Sequence, residues 1–363
     1  MKNKSRIIDG NALYTLIAIV VGFVIGAILL VAAGISPAAT YAKLADGIFG
    51  QPKFIAWAIV YASPLIFTGL SVAFSFKTGV FNIGAEGQFV VGSMAACVVG
   101  ILVEAPAFIH VTLCILAAAI AGALWGAIVG LMKVKRGVNE VLSYIMFNWI
   151  AFYLSNYIVN LSIIKREGGG EATKDIADTA RITMPKALID LTNCSSLNWG
   201  IVMAIVAAFV IWFIIHKTTL GFQLRAVGYS KTAAKYAGIN TNKMFLSAMS
   251  ISGALAGLGG AVQVLGMSGR IPQFAGQESF GFQGITVALI ASSNPIGCVL
   301  AGLFYGAMKY GGGKLTLVDT PAEVVDIIMG TIILFIAVSH VFRFMLTKRV
   351  GKKKLAEVKG GNE

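Results

Sequence analysis

The sequence contains few of the residues on which catalytic and metal sites depend. Three His occur among 363 residues, and each lies singly at an end of an apolar run. No zinc-protease, phosphate-loop or other catalytic pattern is present. The four Cys have neither the spacing of a disulfide framework nor that of a metal site. We therefore expect no catalytic residues and no bound metal, and we interpret the Cys as small packing residues.

Charge is also scarce. Only 12% of the residues are charged, whereas soluble domains have about 25%, and 57% are hydrophobic. The mean hydropathy is +0.82. Apolar runs long enough to cross a bilayer recur along the chain at 12–34, 54–76, 80–103, 108–131, 141–163, 197–216, 244–267, 280–293, 296–311 and 324–346. The sequence predicts an all-α polytopic membrane protein with about ten transmembrane helices.

The distribution of Lys and Arg decides the number and direction of the spans. The first run is too long for a signal-peptide core, and the short eighth and ninth runs are separated by "SNP" at 293–295. One interrupted helix over 280–311 would give nine spans and place "TKRVGKKK" outside. Ten spans place both termini and 19 of the 29 Lys and Arg in the cytoplasm. The net charge of +13 then reflects topology and attraction to anionic lipid, not nucleic-acid binding.

These spans define the predicted organisation. A cytoplasmic N-terminus (1–11) precedes the transmembrane domain (12–346), and a basic cytoplasmic tail (347–363) follows it. An external loop covers 165–196, with a flexible "GGGEATKDIADTA" part and a short amphipathic helix in "MPKALIDL". Within the spans, "GALWGAIVG" and "GALAGLGG" have the small-residue spacing that brings helix backbones together.

The cytoplasmic loop 217–243 contains a predicted short helix in "SKTAAKYAGI". Ser230 is its expected N-cap and Gly238 its expected end. We expect the helix to expose Lys231 and Lys235 and to bury Ala233, Ala234, Tyr236 and Ala237. Its compact shape suits docking to a cytoplasmic partner, although an ordinary linker between two spans fits the pattern equally well.

The segment "GFQLRAVGYSKTAAKYAGINTNKMFLSAMSISGALAGLGG" resembles the coupling region of ABC importer permeases of the branched-chain amino acid, simple sugar and nucleoside group. The residues that carry the match are Gly221, Arg225, Ala226, Gly228, Ala233, Ala234, Gly238 and Ile239. Thr232 stands where the wider motif of ABC importers has Glu. "FNIGAEGQ", "RGVNEVLSYIMFNWIA" and "GFQGITVALIASSNPIG" resemble further blocks of the nucleoside branch, in the same order.

The resemblance implies a transport subunit, not an enzyme. It implies a separate ATPase that uses ATP and Mg and docks on the 230–239 helix through Arg225, Ser230, Lys231, Ala233, Ala234, Gly238 and Ile239. It also implies a second, homologous permease, an extracytoplasmic substrate-binding lipoprotein on the outer loops, and a location in the bacterial plasma membrane. The chain itself would bind no cofactor.

Nucleosides are the expected substrates, with simple sugars of the ribose or galactose type as the alternative. A stand-alone ion-coupled transporter is a third interpretation, for which Glu86 would be the carboxylate that couples an ion. A membrane enzyme would need clustered His, Asp or Glu, which the spans lack.

Polar residues within the spans are the candidates for the substrate pathway. Asn148, Phe152 and Asn156 follow at i, i+4 and i+8, where amides and an aromatic ring suit a nucleoside, or equally a neighbouring helix. "FNIGAEGQ" adds Asn82, Glu86 and Gln88. Its glycines fit a broken or re-entrant turn whose amides Glu86 would brace, and direct substrate contact is the other interpretation. Gln283 is the last candidate.

Overall fold

The computed structural model describes residues 10–168, 170–318, 321 and 323–336, and in this part of the chain every regular element is a helix. The ten predicted runs coincide with ten helices. These are α1 (Gly10–Ala32), α3 (Pro52–Lys77), α4 (Ala85–Leu102), α5 (Ala107–Arg136), α6 (Glu140–Val159), α8 (Gly200–Lys217), α11 (Thr241–Gln263), α12 (Phe280–Ile290), α13 (Pro295–Gly312) and α14 (323–336). The predicted basic tail, residues 1–9 and the end of the last span lie outside the described residues.

Within the described ranges, four further α-helices occur between these runs: α2 (Pro37–Phe49), α7 (Lys186–Thr192), α9 (Thr219–Tyr229) and α10 (Lys231–Tyr236). The positions of α7 and α10 agree with the predicted short helices, whereas α2 and α9 were not predicted. Among the described residues, five helices are long and apolar enough to span a membrane: α3, α4, α5, α8 and α11 with its π-helical end at Ser268. The protein is therefore a polytopic helical membrane protein, and the count of ten spans and their direction stay predictions.

The chain divides into two compact units. One comprises residues 1–44 and 312–363. Within it, α1 lies against α14, because Gly22 and Gly26 face the side chains of Ile332 and Ile328 without room for a Cβ. The Tyr41 hydroxyl of α2 donates to the Phe23 carbonyl, and the two rings meet edge to face.

The second unit, residues 45–311, is built around close backbone contacts between α4, α5 and α11. A Cβ added to Gly122 would collide with the Gly253 carbonyl, and one added to Gly92 would collide with the backbone of Gly257. The glycine stripes of "GALWGAIVG" and "GALAGLGG" therefore pack helices, as predicted. On the outer side, α5 exposes large apolar side chains such as Leu116, Ile120 and Leu124, which suits contact with lipid acyl chains.

The loop that is predicted to be external makes more hydrogen bonds to the rest of the chain than its composition indicates. The Thr173 and Ile176 amides donate to the carbonyls of Ile271 and Gly269, and the Ile182 amide donates to Leu265. Thr173 and Ala180 are fully buried. The prediction of a flexible "GGGEATKDIADTA" part is wrong for Thr173 and Ile176, because their amides bond to the 264–272 segment, which is distant in sequence.

Candidate functional site

Two helices of the second unit begin next to each other inside the helical body. The chain leaves α3 at Lys77 and passes through residues 78–84 before α4 begins at Ala85. Gly281, in the first turn of α12, touches the backbone of Ala85 and Glu86, and Gly284 lies against Thr68 of α3. Thr68 is about 14 Å from the end of α3 at a rise of about 1.5 Å per residue. Both α4 and α12 therefore begin beside the middle of α3, well inside its length, and not beside its end.

Glu86 joins these two helix starts. One carboxylate oxygen accepts a hydrogen bond from the Ser279 amide at 2.7 Å, and the other accepts one from the Gly281 amide at 2.7 Å. The side chain is only 1% exposed. The first amides of a helix have no partners within it, and a carboxylate is favourable at their positive end. This geometry supports bracing as the role of Glu86, and contact with substrate stays a prediction.

Asn82 lies in the turn before α4, and Gln88 lies in the first turn of α4 itself. Asn82 Nδ2 lies 2.6 Å from the Ser252 hydroxyl, 3.1 Å from that of Ser71 and 2.8 Å from Gln88 Oε1. Its Oδ1 accepts from the Gly84 amide at 3.1 Å. Both amide side chains are fully buried, so their hydrogen bonds fix the turn to α3 and α11.

Asn148 and Asn156 of α6 bind the backbone around the starts of α4 and α12. Asn148 accepts from the Gly87 amide at 2.9 Å and donates to the Ile83 carbonyl at 3.1 Å. Asn156 donates to the Phe274 carbonyl at 2.9 Å and accepts from its amide at 2.8 Å. Phe152, between them, is buried at 8% exposure. In this conformation both amides bind backbone, and their place in a substrate pathway stays a prediction.

Gln283 lies in the first turn of α12 and is partly exposed. Six of the seven pathway candidates, all but Phe152, are thus within or directly bonded to the segments that start α4 and α12. We call these segments, 78–88 and 269–283, the paired half-helix starts. The proximity of these two segments was not predicted from the sequence.

Glu278 was missed as a member of this site. Its carboxyl group lies near the Gln263 side chain and near the carboxylate of Glu86. Its Oε2 is buried and, within the described residues, has no hydrogen-bond partner. Glu278 lies between the predicted spans 244–267 and 280–293, so it was not among the polar residues of the spans that were considered. A carboxylate directly before an apolar run is a signal for a helix start, and that signal was available.

The loop 217–243 folds into α9 and α10. Ser230 caps α10 by accepting from the Ala233 amide at 3.2 Å, and Gly238 follows the helix with a φ of 80°. Both agree with the prediction. The expected burial is wrong for three of four residues: Ala234 is buried, whereas Ala233 and Ala237 are exposed and Tyr236 is 90% exposed. A six-residue helix lying on the protein buries only one narrow face, so the rest points outward.

The other predicted coupling residues surround this helix. Lys231 is exposed and its Nζ lies 5.8 Å from the centroid of the Phe245 ring. Ile239 is partly buried and its amide donates to the Ala234 carbonyl at 3.0 Å. Arg225 lies earlier, on α9, where its Nε is 3.4 Å from the Gly221 carbonyl. Tyr229, at the end of α9, is 90% exposed.

Comparisons with known proteins agree with this architecture. Residues 54–337 match the family described as branched-chain amino acid transport system / permease component. The chain belongs to this family of membrane permeases.

Among curated proteins, it is similar to the guanosine ABC transporter permease protein NupP of Bacillus subtilis, with 41% identity covering 93% of this chain and 96% of that one. It is 34% identical to the nucleoside ABC transporter permease protein NupB of Lactococcus lactis, covering 96% and 95%. It is 29% identical to the glucose ABC transporter permease protein TsgB13 of Haloferax volcanii, covering 90% and 87%.

Proposed function

We propose that the chain is the transmembrane permease subunit of an ATP-driven importer that carries nucleosides across the bacterial plasma membrane. The observation that carries this proposal is the 41% identity to a guanosine permease along nearly the whole of both chains. A second nucleoside permease follows at 34%. The glucose permease is less similar, at 29% over a smaller share of this chain, which favours nucleosides over simple sugars.

The exposed surface of α10 is the proposed docking site for the ATPase. Tyr236, Ala233 and Ala237 point away from the protein, and Ala234 and the Ser230 cap hold the helix on it. Aromatic side chains at a protein surface often act as binding anchors. ATP and Mg are used by that subunit, whose closure would move α10 and, through α9 and α11, the spans.

The second permease of the importer is proposed to be a different, homologous chain. The chain is also 31% identical to the guanosine permease NupQ of Bacillus subtilis, although over only 68% of this chain. Bacillus subtilis has two permeases that resemble this chain to different degrees, NupP and NupQ. Lactococcus lactis likewise has NupB and NupC. A substrate-binding lipoprotein is proposed to dock on the external loop 165–196.

Uptake of labelled guanosine, uridine and ribose tests the function. The chain is expressed with its ATPase, second permease and lipoprotein in a host that lacks nucleoside uptake, and the control contains a hydrolysis-dead ATPase. We expect nucleoside uptake that disappears in the control. Ribose uptake without nucleoside uptake would assign the chain to the sugar branch. Uptake that persists with the dead ATPase and falls with an uncoupler would overturn the proposal.

A further inference from the structure

A second polar site, distinct from the polar residues of the paired half-helix starts, adjoins the beginning of the 78–88 segment, where α3, α8 and α9 meet. An open cavity of about 320 Å³ lies there between the last residues of α3, the last turn of α8 and the end of α9. Its lining consists of Phe76, Lys77, Ile215, His216, Arg225, Gly228 and Tyr229. We call it the basic cavity.

Its charge is positive, and the described residues supply no counter-charge. Lys77 and Arg225 come from different helices, no Asp or Glu among the described residues lines the cavity, and no ion pair of these residues includes either of them. His216 Nδ1 is hydrogen-bonded to the Trp212 carbonyl oxygen at 2.9 Å. Its Nε2 is therefore available to another partner. Two like charges that share a cavity without a counter-charge attract an anion.

The walls of the basic cavity are held by backbone contacts. A Cβ on Gly228 would collide with the Lys77 carbonyl, so the end of α9 lies directly on the end of α3. Gly221, at the start of α9, fits equally closely against the Ile214 and Ile215 carbonyls of α8. The Thr218 hydroxyl accepts from the Gly221 amide at 3.1 Å and caps α9. The cations are therefore presented by elements with little freedom to separate.

The depth of the cavity identifies the kind of anion. Both α3 and α8 are long and apolar enough to span a membrane, and they end beside it at Lys77 and Lys217. The ends of such spans lie at the level of the lipid headgroups. On the side proposed to be cytoplasmic, anionic phospholipids are attracted by clustered Lys and Arg, and basic recesses between spans hold phosphate headgroups.

We infer that the basic cavity is a binding site for a phosphate-bearing anion, held by Lys77 and Arg225, with an anionic phospholipid headgroup as the source that its depth favours. Arg225 supplies a planar fork that matches phosphate oxygens, and Lys77 supplies a point charge. The bound anion would join the ends of α3 and α9 and so stabilise the helix that leads into α10. None of the seven pathway candidates lines the cavity, so the inference does not depend on which substrate the importer carries.

Binding is measured on the full purified chain in a neutral detergent. The thermal unfolding midpoint is followed during titration with dioctanoyl phosphatidylglycerol, dioctanoyl phosphatidylcholine or inorganic phosphate. We expect a saturable rise with phosphatidylglycerol for the wild type. The double variant K77Q/R225Q should need at least about tenfold more lipid for the same rise, because both phosphate contacts are lost.

The matched control is K135Q/R136Q. It removes the same charge from two exposed residues at the end of α5 that do not line the cavity, and it should bind as the wild type does. A measurement on the wild type alone guards against misfolding of the double variant: raising the salt concentration about tenfold should weaken binding, since a charge-based site is screened.

The ligand series distinguishes the sources of the phosphate. A rise with phosphatidylglycerol alone supports a lipid headgroup, and an equal rise with inorganic phosphate supports a small soluble phosphate compound in the same site. The inference is overturned if no ligand raises the wild-type midpoint. It is also overturned if K77Q/R225Q responds like the control, or if phosphatidylglycerol and phosphatidylcholine act identically and independently of salt.

Discussion

Replacing Glu86 with Gln should destabilise the protein strongly, although the change is nearly isosteric. The wild-type carboxylate accepts two backbone hydrogen bonds of 2.7 Å at a buried position. Gln keeps one oxygen and presents an NH₂ group to the other amide, so one charge-assisted bond becomes neutral and one buried N–H loses its acceptor. A hydrogen bond to a charged group contributes about 1.5–3 kcal/mol, and an unsatisfied buried group costs about 1–3 kcal/mol. We expect a net loss of about 3 kcal/mol.

A cysteine-reactive dye in a thermal ramp measures this loss on the full chain, because all four Cys are free and buried and react only on unfolding. Glu104→Gln is the control, since it removes the same charge from an exposed loop residue. We expect the E86Q midpoint to fall by several degrees and the E104Q midpoint to stay near that of the wild type. Equal midpoints for the two variants would refute the bracing role. Unchanged stability with a raised KM for nucleoside uptake would instead indicate contact with substrate.

Three further outcomes are expected. Gly253→Val should cost about 3 kcal/mol by forcing α5 from α11, measured in the same thermal ramp, whereas Gly330→Ala, with open space around its Cβ position, should not destabilise. Tyr236→Ala should weaken co-purification of the ATPase about tenfold without lowering the unfolding midpoint, and unchanged retention would contradict docking at α10. At the first residue of α6, burial raises the pKa of Glu140, but its 2.7 Å ion pair with Lys133 outweighs this and leaves the pKa lowered. Glu140→Gln should therefore cost about 0.5 kcal/mol at pH 7, and the difference should vanish as the pH falls well below the ordinary value of 4.5, as followed by thermal unfolding across pH.

The apolar runs predicted the positions of the helices, because lipid leaves a chain few alternatives to helix, whereas five of the ten helices are long and apolar enough to span a membrane among the described residues. The start of α4 was less predictable. The run at 80–103 is continuous in hydropathy, yet the helix begins at Ala85, since the preceding residues are held by Asn82 and Asn148. The amphipathic helix α2 was missed because Lys43 and Asp46 interrupt its apolar pattern.

The candidate site was predictable as residue types and not as an arrangement. Asn82, Glu86 and Asn148 were recognisable as polar residues that a membrane interior must satisfy. Their partners are backbone groups, and those of Glu86 lie more than 190 residues away at Ser279 and Gly281. A backbone amide has no signature in a sequence, so the junction of α4 with α12 could not be predicted. The outward direction of Tyr236 was missed for a similar reason, since it depends on where α10 lies on the fold.

The glycine contacts between α4, α5 and α11 have a mechanical consequence. Where Gly92 faces Gly257 and Gly122 faces Gly253, no layer of side chains separates the backbones, so there are no rotamers that could change to let one helix slide past another. These three helices are therefore expected to move as one rigid body during a transport cycle. Bending must then occur in the non-helical segments around them, of which 78–84 and 269–279 lie closest to the buried polar residues.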